Sequence, residues 1–197
     1  MGLLLGTVSV QTCVLVSLIF LVVQVAALFA LGRPFICDCG HVSFWYGNPN
    51  GPETSQHLTD WYTYTHISHG FLFYFLLWVI APHLPFKVKL ALVFGIEAVW
   101  EITENTPFIV DRYRQSALAQ GYSGDSVVNS VFDSLATAFG SFLAYVLPVR
   151  LSVAVVMGIE LFLGYMIHDN LTLNIIHLIR PSAAVFLPDR TLNDGGH

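Results

Sequence analysis

Charged residues are scarce in this sequence. Only 11% of its 197 residues are Asp, Glu, Lys or Arg, against roughly 25% in an average soluble domain. The eight Lys and Arg residues are scattered, so there is no basic patch of the kind that binds nucleic acid. Hydrophobic residues make up 55% of the chain and the mean hydropathy is +0.65. This composition predicts an all-α membrane protein, and the length fits one domain.

Motifs of several common enzyme classes are also missing. The chain has no glycine-rich phosphate loop, no Gly-x-Ser-x-Gly elbow and no His-Glu-x-x-His zinc motif. Cysteine is scarce: Cys13 lies inside an apolar run, while Cys37 and Cys39 belong to a Cys-Asp-Cys-Gly-His string. Cysteines this close in sequence form a disulfide only with difficulty, so we expect them not to pair. A metal site of Cys37, Cys39 and His41 is a minor alternative, because zinc normally needs a second ligand pair.

Apolar segments predict a polytopic bundle of about five spans. A transmembrane helix needs about 17 to 25 apolar residues, and suitable runs bounded by Pro, Gly or charge cover 3–31, 64–80, 86–105, 125–147 and 151–168. The first run lacks a basic leader and predicts an anchor rather than a cleaved signal peptide. Residues 171–179 predict a helix in the membrane interface. We expect a single transmembrane domain over 1–180 and a mobile tail over 181–197.

The predicted topology gives the two sides of the membrane different characters. Alternating spans put the long loops 32–63 and 106–124 on one side, with only short connections on the other. Lys87 and Lys89 share one short connection, and the positive-inside rule places it in the cytoplasm. The long loops would then be periplasmic, as expected for a multi-pass protein of the bacterial inner membrane.

Polar residues recur at helical spacing within these spans. A carboxylate near the bilayer centre costs at least ~2.5 to 3.5 kcal/mol, so such residues normally face a bundle interior and mark a site. Spacings of three, four, seven and eight residues place them on one stripe of each helix. The stripes are His66 and His69 on the second span, Glu97, Glu101 and Glu104 on the third, Asp125, Asn129 and Asp133 on the fourth, and Glu160, Gly164 and His168 on the fifth. Together they predict a shared cavity open to the periplasmic side.

Three chemistries fit this set of side chains. Carboxylates and imidazoles on facing helices can ligate a divalent metal such as iron, zinc or manganese. For that role we favour His66, His69, Glu101 and Glu104. For general acid and base work on a lipid or envelope substrate, we favour Glu97, Glu101, Asp125 and Asp133.

Two further interpretations of the same residues remain as alternatives. The carboxylates and imidazoles could carry protons or ions without catalysis. They could equally join helices in a non-catalytic subunit of a membrane complex. The expected partners are therefore the lipid bilayer, a lipid-linked substrate or other membrane subunits, and no nucleic acid.

Several longer strings resemble a known family. They are residues 37–40, 55–62, 66–74, 100–113 and 124–130, which include His-Ile-Ser-His-Gly-Phe and Trp-Glu-Ile-Thr-Glu-Asn-Thr-Pro. Together they resemble an uncharacterised alphaproteobacterial inner-membrane family, known only as a domain of unknown function, over about residues 10–185. The resemblance implies a multi-pass membrane protein and supplies no activity. A fainter resemblance to VanZ-like membrane proteins rests on Trp100, Glu101 and the run from Asp133 to Gly140.

Overall fold

The structure, a computed structural model, describes residues 8–114 and 122–179 and is mostly helical over them. Two short strands, β1 (Trp45–Tyr46) and β2 (Thr59–Asp60), pair in parallel inside the first long loop. The helices are α1 (Val10–Ala30), α2 (Thr63–Ile80), α3 (Phe86–Glu104), α4 (Pro107–Arg114), α5 (Val127–Val146), α6 (Val149–Met166) and α7 (Leu171–Ile179). The start of the predicted first span and the predicted mobile tail at 181–197 lie outside the described residues.

Local sequence sets the helix boundaries. The Ser126 hydroxyl accepts a hydrogen bond from the Asn129 N–H at 3.2 Å, so α5 begins just after Ser126, as expected for a serine N-cap. Asp125 therefore precedes the helix, although the sequence placed it at the start of the fourth span. Pro85 and Pro148 hold extended conformations immediately before α3 and α6. Because proline is tolerated where a helix starts, α6 begins two residues earlier than predicted.

Three of the described helices, α1, α5 and α6, are long and apolar enough to cross a membrane. With 18 and 19 residues, α2 and α3 match them in length. These two helices carry the histidines and glutamates of the predicted polar stripes, and those residues lower their apolarity. The structure therefore gives three candidate spans by composition and two further helices of similar length.

Two glycines allow the close contact between α2 and α5. A Cβ atom on Gly70 would lie 2.1 Å from the Thr137 carbonyl oxygen, and one on Gly140 would lie 2.0 Å from the Ile67 carbonyl oxygen. Either distance is far inside van der Waals contact, so only glycine fits. Small residues at a helix crossing let two backbones approach in this way. The contact sets the height at which α2 faces α5.

Buried hydroxyl and amide groups hold the same helices in register. The Thr137 hydroxyl donates to the His66 carbonyl at 3.0 Å. At neighbouring positions of α5, Gln24 of α1 donates to the Ser130 hydroxyl at 2.6 Å and accepts from the Ser134 hydroxyl at 2.9 Å. All five side chains are buried. Hydrogen bonds of this kind link helices in an apolar setting, so α1 and α2 are both fastened to α5.

The long loops and the short helices cap one end of the bundle. Arg33 donates to the Asn105 carbonyl at 3.2 and 2.8 Å, which ties the end of α1 to the end of α3. Arg112 of α4 donates to the carbonyls of Leu178 and Ile179 at 3.0 and 2.9 Å. These are the last carbonyls of α7, which have no partners within the helix. The cap therefore stands over the ends of α2, α3 and α5.

The glycine contact makes a direct prediction about stability. Gly140→Ala should lower the thermal unfolding temperature of the detergent-solubilised protein, because overpacking typically costs about 1 to 3 kcal/mol. Gly158→Ala in α6 is the matched control, since nothing lies within 4 Å of its added Cβ. The unfolding temperature of the control should equal or exceed that of the wild type, because alanine is more favourable than glycine within a helix by roughly 0.5 to 1 kcal/mol. Equal melting temperatures for the two variants would show that α2 and α5 are not in backbone contact.

Candidate functional site

A small cavity lies beneath the cap, between the ends of α2, α3 and α5. Its volume is about 50 Å³, room for roughly three to five water molecules at ~10 to 15 Å³ each. Most of its polar lining comes from the predicted stripes and most of its aromatic lining from the cap. The lining includes His66, His69, Glu104, Asp125, Asp133, Trp100, Tyr62, Tyr113 and Tyr122.

His66 is the centre of the polar cluster below this cavity. Its Nδ1 atom lies 2.6 Å from Glu97 Oε1 and 3.4 Å from Glu101 Oε1. On the other side of the ring, Nε2 lies 3.8 Å from Asp133 Oδ2. The glutamates come from successive turns of α3 and the aspartate from α5, so one imidazole meets carboxylates from two helices. All four side chains are buried, and both glutamates are fully inaccessible.

His69, one turn further along α2, extends the cluster. Its Nδ1 atom lies 3.5 Å from Glu97 Oε2. The ring centre lies 5.4 Å from that of Phe73 and 5.3 Å from that of Trp100. These aromatic walls restrict how the imidazole can turn. Glu97 is thus placed between two histidines, one on each carboxylate oxygen.

Several side-chain oxygen and nitrogen atoms of this cluster have no hydrogen-bond partner among the described residues. They are Glu97 Oε2, both carboxylate oxygens of Glu101, Asp133 Oδ1 and His69 Nδ1. Buried polar atoms in folded proteins nearly always have a partner. The ion pairs that these carboxylates form in the described structure are with His66 and His69, with no lysine or arginine within 4.0 Å. The cluster therefore has more acidic groups than cationic ones.

Two overlapping sets of residues could hold a metal ion. His66, His69 and Glu97 form one set, and His66, Glu101 and Glu104 form the other, each with its ligand atoms within 4.8 Å of one another. Ligand atoms about 2.0 to 2.2 Å from one ion lie about 3 to 3.5 Å apart. The 3.4 Å and 3.5 Å separations within the cluster match this spacing. Because the two sets share His66, one ion is the simplest occupant.

Asp125 has a different environment from the other predicted acids. Its carboxylate accepts from the Asn105 side chain at 2.5 Å and from the Tyr122 hydroxyl at 3.0 Å, and its own N–H donates to the Asn105 side chain at 2.7 Å. Burial raises the pKa of Asp125, and the hydrogen bond from Asn105 opposes that rise. Asp125 thus lines the cavity as a fully bonded group beside α5, and forms no ion pair with His66.

Asn129 is also directed away from His66. Its side-chain amide donates to the His57 carbonyl at 2.9 Å, which joins α5 to the loop before β2. Glu104, by contrast, lines the cavity and is only partly buried. The structure therefore gathers His66, His69, Glu97, Glu101 and Asp133 at the centre and leaves the remaining predicted residues around it.

Glu160 corrects one expectation. The spacing on the fifth span predicted that it faces the shared cavity, but its carboxylate accepts from the N–H groups of Leu171 and Thr172, each at 3.1 Å, and from the Thr172 hydroxyl at 2.6 Å. The first N–H groups of a helix have no partners within it and attract a negative charge. Glu160 therefore caps α7, and the predicted fourth stripe is wrong at this residue.

The cysteines correct a second expectation. Cys37 and Cys39 are joined by a disulfide, whereas the sequence predicted that residues this close would not pair. The alternative of a metal site including His41 is not what the fold assembles. The donor atoms near the two cysteines come instead from Glu53 and His57.

Sequence reasoning missed the acidic groups next to Tyr62, a residue that lines the cavity. The Tyr62 hydroxyl donates to Asp169 at 3.1 Å. Asp60 accepts from the N–H groups of Ser55 and Tyr62, each at 2.8 Å. Burial raises the pKa of Asp60, of Asp169 and of the Tyr62 hydroxyl, and the nearby Asp169 raises that of Tyr62 further. No spacing pattern links these residues, because they meet only through the folded loops.

The comparisons with known proteins agree on one family. The family model described as "Protein of unknown function (DUF2585)" matches residues 28–187. The chain belongs to this family. The matched segment contains the whole His66 cluster and the cap helices that the structure describes.

Curated relatives come from alphaproteobacteria, as the resemblance implied. The UPF0314 protein of Agrobacterium fabrum is 46% identical over 82% of this chain and 81% of its own. That of Rhizobium johnstonii is 48% identical over 84% and 85%, and that of Paracoccus denitrificans is 47% identical over 84% and 87%. These names assign no activity. No solved structure matches the chain.

The bonding of Asp125 predicts a supporting role for Asn105. Asn105→Ala removes the partners of one Asp125 oxygen and of its N–H, and an unsatisfied buried group costs about 1 to 3 kcal/mol. We expect a melting temperature several degrees below that of the wild type in detergent. Thr103→Ala is the control, because Thr103 is exposed and its hydroxyl donates to the Val99 carbonyl of its own helix. If both variants melt with the wild type, Asn105 does not hold Asp125 in place.

Proposed function

We propose that this protein is a multi-pass protein of the bacterial inner membrane that holds a divalent metal at His66 and acts on a lipid-linked or envelope substrate. His69, Glu97 and Glu101 would be further ligands, with Glu104 at the cavity side. The observation that carries the proposal is the convergence of three buried carboxylates and two buried imidazoles, several of whose polar atoms have no hydrogen-bond partner among the described residues. A cation would satisfy these atoms and balance the excess of acidic groups.

The surface of the bundle supports five membrane-spanning helices. Helices of 18 and 19 residues are about 27 to 28 Å long, close to the roughly 30 Å of a bilayer's hydrocarbon core. The outer face of α2 exposes large apolar residues such as Phe75, Leu76, Val79 and Ile80. Little of α6 is buried within the structure. Apolar surfaces of this extent are rare on soluble monomers and are expected on helices that face lipid.

The chemistry of the donors favours a particular group of metals. Imidazole and carboxylate suit zinc, iron and manganese, whereas calcium and magnesium prefer oxygen alone. A bound ion of this group would supply Lewis-acid chemistry. Asp133, 3.8 Å from the His66 ring on the side away from the glutamates, is placed to accept or release a proton beside it.

The position of the cavity favours a substrate from the membrane surface. Leu171 and Asn174 of α7 form part of its wall, together with Trp100 and Tyr62. A short apolar helix at the end of a bundle is typical of a segment that lies in the interface. An amphiphilic substrate could therefore place a polar head near His66 while its apolar part stays in the bilayer.

A proton carrier is the second candidate, and the 2.6 Å hydrogen bond between His66 and Glu97 favours it. Imidazole and carboxylate groups within this range can pass a proton. A carrier must also connect the two sides of the membrane. The backbone contact at Gly70 and Gly140 closes the gap between α2 and α5 one turn beyond His66, which favours a site that opens to one side.

The orientation of the protein can be tested with reporter fusions. A reporter that works only in the periplasm should be active when fused after residue 55 and inactive after residue 86. The reason is the positive charge of Lys87 and Lys89, which lie in the first turn of α3 directly after the short α2–α3 connection and favour the cytoplasm for that end of the helix. A reporter that works only in the cytoplasm should give the reverse pattern. Activity of the periplasmic reporter at residue 86 would invert the protein and place the cavity in the cytoplasm.

Isosteric variants test the metal centre. Glu101→Gln and Asp133→Asn keep size and polarity, so a purely structural role should survive them. A ligand role should not: we expect Glu101→Gln and His66→Ala to lower metal affinity by at least about tenfold. Asp133→Asn should lower the enzymatic activity on the lipid-linked or envelope substrate more than it lowers the metal content. Elemental analysis of the oxidised, detergent-solubilised protein measures the metal, with thermal stability recorded alongside.

The matched control is Asp111→Asn, because the Asp111 side chain on α4 is 69% exposed. It should leave metal content unchanged. Wild-type protein that binds no zinc, iron or manganese, and whose site variants fail only in proton transport, would favour the carrier. If Glu101→Gln and Asp133→Asn both match the wild type in metal content and in proton transport, the remaining interpretation is a structural subunit.

A further inference from the structure

A second group of side chains that could bind a metal lies in the loop between α1 and α2, and it shares no residue with the His66 cluster. It consists of Cys37, Cys39, Glu53 and His57, which each offer one ligand atom within 4.8 Å of the others. Cys37 and His57 are buried, with 3% and 1% of their surface exposed. The sequence showed the cysteine pair but lacked a second pair at a recognisable spacing. The loop supplies it, because Glu53 and His57 are brought back against the cysteines.

The ring of His57 is already held in place. Its Nδ1 atom accepts from the Ser43 N–H at 3.1 Å, and its Nε2 atom lies 2.8 Å from Glu53 Oε2. The centres of the His41 and Tyr46 rings each lie 5.3 Å from its own. A metal on either ring nitrogen would replace one of these hydrogen bonds. Glu53 would then be a ligand itself or would hold the other ring nitrogen, as carboxylates do beside metal-bound histidines.

We propose that reduction of the Cys37–Cys39 disulfide creates a zinc site formed by the two thiolates, His57 and Glu53. Two sulfurs, one imidazole nitrogen and one carboxylate oxygen make a four-coordinate set of the type that zinc accepts. Thiolates favour zinc over magnesium, calcium and manganese. This inference is independent of the proposed function, because the His66 cluster contains no sulfur.

The redox step that opens the site is balanced by an external dithiol. The disulfide takes up two electrons and two protons and becomes two thiols, while the dithiol becomes a disulfide. Zinc then binds the two thiolates, and their two protons are released. In an oxidising compartment such as the periplasm the disulfide persists. Zinc binding at this site is thus coupled to the redox state of the loop.

The site adjoins the wall of the cavity. Thr54 and Ser55, between the two new ligands Glu53 and His57, line the cavity, and the His57 carbonyl accepts from Asn129 of α5. A metal bound here would join residues 37–39 to residues 53–57. It would therefore fix a segment that forms part of the entrance to the His66 cluster.

The experiment uses the full chain in detergent with Cys13→Ser, so that Cys37 and Cys39 are the only cysteines left. A phosphine reductant, which is oxidised to its oxide with water as the oxygen source, opens the disulfide and is then removed. A thiol assay should count two free thiols. Cobalt(II) is the probe, and we expect a thiolate-to-cobalt charge-transfer band that zinc abolishes. The oxidised protein should give no such band, and neither can the sulfur-free His66 cluster.

Single substitutions identify the other two ligands. His57→Gln and Glu53→Gln should each weaken cobalt and zinc binding at this site by at least about tenfold. Asp38→Asn is the control, because Asp38 belongs to the same Cys-Asp-Cys-Gly-His string but is exposed and lies outside the ligand group. The control should bind cobalt and zinc as tightly as the Cys13→Ser protein does. Circular dichroism checks the fold, and if His57→Gln is misfolded the partly exposed Glu53 decides.

Two results would overturn the inference. The first is two free thiols with no charge-transfer band on addition of cobalt. The second is unchanged affinity in folded Glu53→Gln and His57→Gln proteins, which would mean that the thiols bind metal without the residues the fold brings to them. Neither result bears on the His66 cluster, whose own test is carried out on the oxidised protein.

Discussion

The burial of three carboxylates against one imidazole is the constraint on which the rest of the structure depends. Glu97, Glu101 and Asp133 lie around His66 in the interior of the bundle. Withdrawing such groups from water is costly unless they are paired, protonated or bound to a cation. The helices that carry them must therefore have one axial position relative to each other and one rotation about their own axes. The surrounding contacts fix both.

Small and hydroxyl-bearing residues provide that precision. Gly70 and Gly140 bring α2 and α5 into backbone contact, and Thr137 bonds the carbonyl of His66 itself. Gln24 hydrogen-bonds to Ser130 and Ser134 and so links α1 to α5. In lipid the hydrophobic effect does little to drive one helix against another, so packing and hydrogen bonds decide their arrangement. The same contacts that assemble the bundle thus orient the candidate site.

The two candidate metal centres differ in the chemistry of their donors. The His66 cluster combines imidazole with carboxylates at the base of a cavity, a set suited to zinc, iron or manganese. The group around Cys37 and His57 includes sulfur, and in the structure its cysteines are oxidised to a disulfide. One centre would thus be open to metal in an oxidised envelope, and the other only after reduction. Between them lies the segment at residues 53–57, which belongs to the second centre and lines the cavity of the first.

Periodic features were determined by the sequence alone. Helical character, helix positions to within a few residues and the placing of His66, His69, Glu97, Glu101 and Asp133 on inward stripes all follow from apolar runs and spacing, because a helix repeats every ~3.6 residues. Only the tertiary structure decided that Asp125 is bonded by Asn105, that Glu160 caps α7, and that Glu53 and His57 lie beside Cys37. Those contacts join residues from separate loops and helix ends, where no repeating geometry relates sequence distance to distance in space.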